Sequence, residues 1–118
     1  MKSYLKLINP QKILLKKGNI FKYKLAESFF KKGIKDFYFS EINKNSFKGW
    51  KIKNKITVLI VVQGKILISY KTKESKIKNL FLNSQEKYIV LIKRNVPFKL
   101  INNTKIKAAV ISFLNEKY

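Results

Sequence analysis

The chain has 118 residues, and with 46% hydrophobic and 14% aromatic residues it can bury the core of one domain without disulfides or metals as staples. It contains no cysteine and no histidine, which excludes a disulfide framework and thiolate chemistry and removes the commonest metal ligand and the commonest general base. Twenty-seven basic residues against six carboxylates give a net charge of +21, a balance that attracts polyanions. All but one of the basic residues are lysine, and they are spread along the whole chain. Compositional drift toward Lys, Ile and Asn produces that pattern, whereas a dedicated nucleic-acid binder concentrates its charge and uses arginine forks. A nucleic-acid partner is therefore not expected. Nor is a membrane partner, because no run of eighteen apolar residues and no leader-like N-terminus occurs; the expectation is a soluble, cytoplasmic, unprocessed protein.

In chain order, Tyr4 to Ile8 is a strand-like start, Pro10 breaks it, and Ile13-Leu14-Leu15 precede a turn signal at Gly18-Asn19. Ile20 to Leu25 alternates as a strand does, and Ala26 to Lys32 suits one or two helical turns or an irregular edge. Phe37 to Ile42 is aromatic and β-branched, a good strand. Strict alternation over Phe47 to Lys53 predicts Phe47, Gly49, Lys51 and Lys53 on one face, with Lys48, Trp50 and Ile52 on the other. Val58 to Val62 is uniformly apolar, as in a strand buried on both faces. Gln63-Gly64 then reads as a hairpin turn into Lys65 to Tyr70. Lys71 to Asn79 reads as a polar loop, and Leu80-Phe81-Leu82, Tyr88 to Ile92, Phe98 to Ile101 and Ala108 to Leu114 complete the series. About eight or nine short strands at roughly ten-residue spacing predict an all-β antiparallel sandwich or barrel. No linker or repeat divides it, so one domain over residues 1–118 is expected.

From Phe37 onward the sequence resembles a known family. FYFSEI, a polar turn, KGWK, then a threonine before an apolar strand ending VVQGKILI are similar to the small cupins related to dTDP-4-dehydrorhamnose 3,5-epimerase. Tyr38 and Glu41 match the first strand of that group, Gly49, Trp50, Lys51 and Lys53 its glycine-aromatic strand, and Gly64 the glycine of its first turn. Ile92 to Leu100 stands where the family has an Ile-Pro-Pro-Gly stretch; Lys93, Arg94 and Asn95 replace the prolines and glycine, and Phe98-Lys99 is kept. Ala108 to Ser112 resembles the closing strand. The resemblance implies a cupin jelly roll, a homodimer, and a nucleotide-sugar ligand.

In such epimerases a histidine removes a proton alpha to a ketone and a tyrosine returns one, and ketoisomerase relatives use a histidine pair two residues apart. Lys51 and Lys53 have that spacing, and Lys53 stands where the relatives hold histidine. A lysine serves as a base where burial or a neighbouring cation lowers its pKa from about 10.4 toward 7; solvated or phosphate-binding lysines are the alternative. Tyr38 and Tyr70 are the candidate acids, or core-lining phenols. Lys48 and Arg94 are candidates for the diphosphate, and Glu41 for orienting Lys51 or Lys53 across strands or for a surface salt bridge. The expected activity is that of an epimerase or isomerase needing no metal and no cofactor. The alternatives are a non-catalytic cupin that binds a sugar or nucleotide sugar, and a basic nucleic-acid-binding barrel, for which Phe21-Lys22-Tyr23-Lys24 is the support.

Overall fold

The computed structural model describes residues 5–22, 36–53, 55–74 and 76–114. Its strands are β1 (Leu5–Ile8), β2 (Gln11–Leu15), β3 (Gly18–Lys22), β4 (Asp36–Ile42), β5 (Ser46–Lys51), β6 (Thr57–Gln63), β7 (Lys65–Lys71), β8 (Ile77–Asn83), β9 (Ile89–Ile92), β10 (Phe98–Asn102) and β11 (Ala108–Leu114). The uniformly apolar β6 lies in the middle of a five-stranded sheet ordered β1-β9-β6-β11-β4. Its Leu59 and Val61 enter the main core, while Val58 and Ile60 join a second cluster with Ile8, Ile89 and Leu91 on the other face. Burial on both faces is why the segment shows no polar alternation.

A four-stranded sheet, β5-β10-β7-β8, packs against the inner face. Ile66, Ile68, Leu82, Phe98 and Leu100 meet Leu59, Val61, Val90, Ile92, Ala108 and Val110 there. From β4 to β7 the chain passes from one sheet to the other at every step, and it does so again from β8 through β11. With every pairing among the described residues antiparallel, this is the jelly roll of a cupin. β2 and β3 form a separate hairpin.

Two expectations change. Gln63-Gly64 is not a hairpin turn within one sheet: β6 and β7 lie in different sheets, and Gly64 makes the corner between them at φ 75°. A Cβ there would sit 3.1 Å from the Lys107 carbonyl oxygen and 3.2 Å from the Ala108 Cα, so the close approach as well as the left-handed backbone requires glycine. A bulge at Val62, opposite Ala109 and Val110, bends β6 into that corner. The expected loop from Lys71 to Asn79 is also shorter, since Lys71 pairs with Ile77, Tyr70 with Lys78 and Ser69 with Asn79. The Ser69 hydroxyl donates to Asn79 Oδ1 at 2.6 Å, and the polar residues that suggested a loop belong to an edge strand, where they discourage further pairing. The readings of Tyr23 to Leu25 and of Ala26 to Lys32 lie outside the described residues.

Candidate active site

β4 and β5 are the edge strands of their two sheets. They are joined by a short turn in which Asn45 takes φ 51°, a conformation asparagine tolerates. Between them runs a cleft of about 400 Å³ lined by Asp36, Tyr38, Phe39, Ser40, Lys48 and Lys51. On β4 the inward residues are Asp36, Tyr38, Ser40 and Ile42, while Phe37, Phe39 and Glu41 are exposed. Period-two alternation delivers Tyr38 to the interior. It also points to Asp36 and Ser40, which were not singled out from the sequence.

On β5 the alternation breaks. Lys48 pairs with Leu100 and Lys51 with Phe98, so Lys99 alone faces both Gly49 and Trp50. This β-bulge puts Lys48 and Lys51 on the same inward face as buried Phe98 and Leu100, and turns Trp50 outward. The strict alternation that separated Lys48 from Lys51 is thereby corrected. Trp50 does point away from Lys51, as expected, but onto the outer surface, with Lys71 Nζ 4.6 Å and Lys99 Nζ 5.0 Å from its ring.

Lys53 lies just past the end of β5 and is half-buried. Its ammonium donates a hydrogen bond to the Tyr38 hydroxyl and stands 4.7 Å from that ring's centre. Its carbonyl accepts the Asn95 N–H at 2.8 Å. That bond ties the turn carrying Arg94 to the same end of the barrel, and Arg94 is exposed there. Lys48, Lys51, Lys53 and Tyr38 are therefore brought together. Among the described residues the lining carries Lys48 and Lys51 against the carboxylate of Asp36, with Lys53 reaching the cleft at Tyr38, and this excess of positive charge suits an anion.

Two of the expected residues stand apart. Tyr70 faces inward on β7, in a row that reads Lys51, Phe98, Tyr70 across three strands. Two interstrand spacings put it roughly 10 Å from Lys51, with the buried Phe98 between them. Glu41 is on the opposite side of β4 from Tyr38 and pairs with Lys107 at 3.3 Å, both side chains more than half exposed. The expected orientation of Lys51 or Lys53 by Glu41 is replaced by this surface pair, which is worth little. A larger cavity of about 570 Å³, lined by Gly64, Lys65, Asn83, Thr104 and Lys105 among others, contains none of the expected residues.

No protein-family profile and no curated protein matches the sequence. Among solved structures the chain is similar to the 3,4-ketoisomerase QdtA from Thermoanaerobacterium thermosaccharolyticum, solved with TDP-4-keto-6-deoxyglucose: TM-score 0.78 at 22% identity, covering 100% of this chain and 84% of that one. It is similar also to the epimerase RmlC from Legionella pneumophila, solved with dTDP-4-keto-L-rhamnose: TM-score 0.78 at 13% identity, covering 98% and 68%. The 3'-monoepimerase ChmJ from Streptomyces bikiniensis, solved with dTDP-quinovose, gives 0.81 at 10% identity, covering 98% and 65%. The chain thus has the cupin fold of the dTDP-sugar epimerases and ketoisomerases.

Proposed function

We propose that the chain is a nucleotide-sugar epimerase or isomerase acting on a dTDP- or UDP-linked keto sugar, in the synthesis of surface polysaccharide, as a cytoplasmic homodimer. The observation that carries this reading is the convergence of Lys48, Lys51, Lys53 and Tyr38 on one cleft, in a barrel whose structural neighbours were solved with such ligands. The reaction is metal-free in this reading, and in a chain with no histidine or cysteine its proton transfer falls to the amines, the phenol and the Asp36 carboxylate of the cleft.

Lys51 acts as the general base that takes the proton from the carbon beside the ketone, and the pair from the broken C–H bond moves into an enolate. Tyr38 returns a proton from its hydroxyl, to the same carbon for epimerisation, or to the former ketone carbon for isomerisation, in which case the proton of the adjacent sugar hydroxyl passes to the former ketone oxygen and the carbonyl moves by one position. Lys53, already donating to the Tyr38 oxygen, then faces the phenolate that this transfer leaves, so the hydrogen bond becomes charge-assisted at the moment charge develops. Solvent restores both groups. Lys48 and Arg94 hold the diphosphate, while Tyr70, set apart from Lys51 by the buried Phe98, takes no part.

A non-catalytic binder of the same ligand is the second reading. The observation favouring it is that Lys53 and Tyr38, two proton-transfer groups, are engaged with each other. Both readings are tested by thermal unfolding with dTDP, dTDP-glucose and UDP-glucose. A ligand at one hundred times its Kd adds about 2.7 kcal/mol to the native state, which for 118 residues is a rise of roughly 10 °C in Tm. Lys48→Ala and Lys51→Ala should each reduce the rise. No rise with any of the three, or a rise that neither substitution alters, overturns the assignment of the cleft.

A further inference from the structure

The outer face of the four-stranded sheet is an aromatic and basic surface that the cleft chemistry does not use. One row crosses all four strands as Phe47, Ile101, Leu67, Phe81; its two end rings are 66% and 64% exposed and lie about 14 Å apart by strand spacing. In the next row the bulge sets Trp50 beside Lys99, followed by Ser69 and Asn79, and Lys71 and Ile77 extend the face beyond it. Lys99 Nζ lies 5.5 Å from the Phe47 ring as well as against Trp50. None of the carboxylates among the described residues is on these four strands.

We propose that this face binds single-stranded nucleic acid, its bases stacking on Phe47, Trp50 and Phe81 and its phosphates contacting Lys71 and Lys99. Exposed rings serve any base, since every base has a π-face, and the lysines between them meet a backbone of regular negative charge. Charge decides among occupants. A second copy of a chain of net charge +21, docked face to face, would set Lys71 and Lys99 near their own counterparts, whereas a phosphate backbone neutralises them. The site stands independently of the keto-sugar reading, because Trp50 and Lys99 point away from the cleft.

Trp50 is the only tryptophan and so reports on the site directly. Titrating the full chain with a fifteen-nucleotide oligothymidylate, and with the matching oligouridylate, should quench its fluorescence. Affinity should fall linearly with salt on logarithmic axes, and Lys71→Ala and Lys99→Ala should each shallow that slope by about 0.7. Phe47→Ala or Phe81→Ala should weaken binding roughly 10-fold. Lys6→Ala, which removes the same charge from β1 in the other sheet, should leave the affinity nearly unchanged. The proposal is overturned by any of three results: an equal loss on Lys6→Ala, which is bulk charge attraction; quenching by anionic phosphatidylserine vesicles but by neither oligonucleotide; or a dimer in which iodide cannot reach Trp50.

Discussion

Replacing Asn102 with alanine should loosen the whole barrel, because its amide is a knot between the two sheets. Asn102 is fully buried at the end of β10, and its Nδ2 donates to the carbonyl oxygens of Ile42 at 3.0 Å and Ile106 at 2.8 Å. Its Oδ1 accepts from the Thr104 N–H at 3.0 Å and the Thr104 hydroxyl at 2.6 Å. Ile42 ends β4 in one sheet and Asn102 ends β10 in the other, so one side chain fixes the separation of the layers about 13 Å along β4 from Tyr38. Four hydrogen bonds at about 1 kcal/mol net each give a loss of roughly 3–4 kcal/mol, a large part of the 5–15 kcal/mol typical of a domain. Over 118 residues that is a fall of roughly 12–16 °C in Tm, measurable by far-ultraviolet circular dichroism. Asn102→Asp should cost at least as much, since a carboxylate keeps the acceptor but sets negative charge against two carbonyls. A Tm for Asn102→Ala within about 3 °C of wild type would refute the reasoning.

Other perturbations have different signatures. Gly64→Ala should lower the urea midpoint by the equivalent of about 1–2 kcal/mol with an unchanged m-value, because a Cβ crowds the Lys107 carbonyl in a left-handed corner. Thr57→Val should be neutral or stabilising by up to about 1 kcal/mol in the same titration, since the buried Thr57 hydroxyl has no hydrogen-bond partner among the described residues. Phe98→Ala should cost about 3–5 kcal/mol by the same measure, as the ring is almost wholly buried between Lys51 and Tyr70. Tyr38→Phe should leave Tm within about 3 °C of wild type, since the change removes only the hydroxyl of a half-buried side chain.

Much of this was legible along the chain. The apolar run at β6, the alternation of β7 and the short, regularly spaced strands carry information in the order of residues alone, and they are enough for an all-β sandwich or barrel; the cupin class rests on the resemblance that begins at Phe37 and takes in Gly64. What could not be read depends on partners. The bulge that unites Lys48 with Lys51 exists because Lys99 faces two residues of β5, and that register is a property of the paired strand. Glu41 reaches Lys107 because β11 is the neighbour of β4, a fact of topology. The Ile77 to Asn79 stretch looked like loop because an edge strand carries polar residues on purpose. The gathering of Tyr38 with Lys51 and Lys53 was anticipated through the resemblance, whereas Asp36 and Ser40 required following the alternation of β4 one step each way.

The proposed function rests on amines and a phenol in the cleft carrying the proton transfer. Deuterium incorporation into dTDP-4-keto-6-deoxyglucose in heavy water, followed by proton NMR, tests it most directly. The wild-type chain should exchange the hydrogen beside the ketone above the uncatalysed rate, and Lys51→Ala and Tyr38→Phe should each reduce exchange or product formation by roughly 10²–10⁴. Wild-type exchange no faster than buffer, with the ligand still raising Tm, would contradict catalysis and leave a nucleotide-sugar binder.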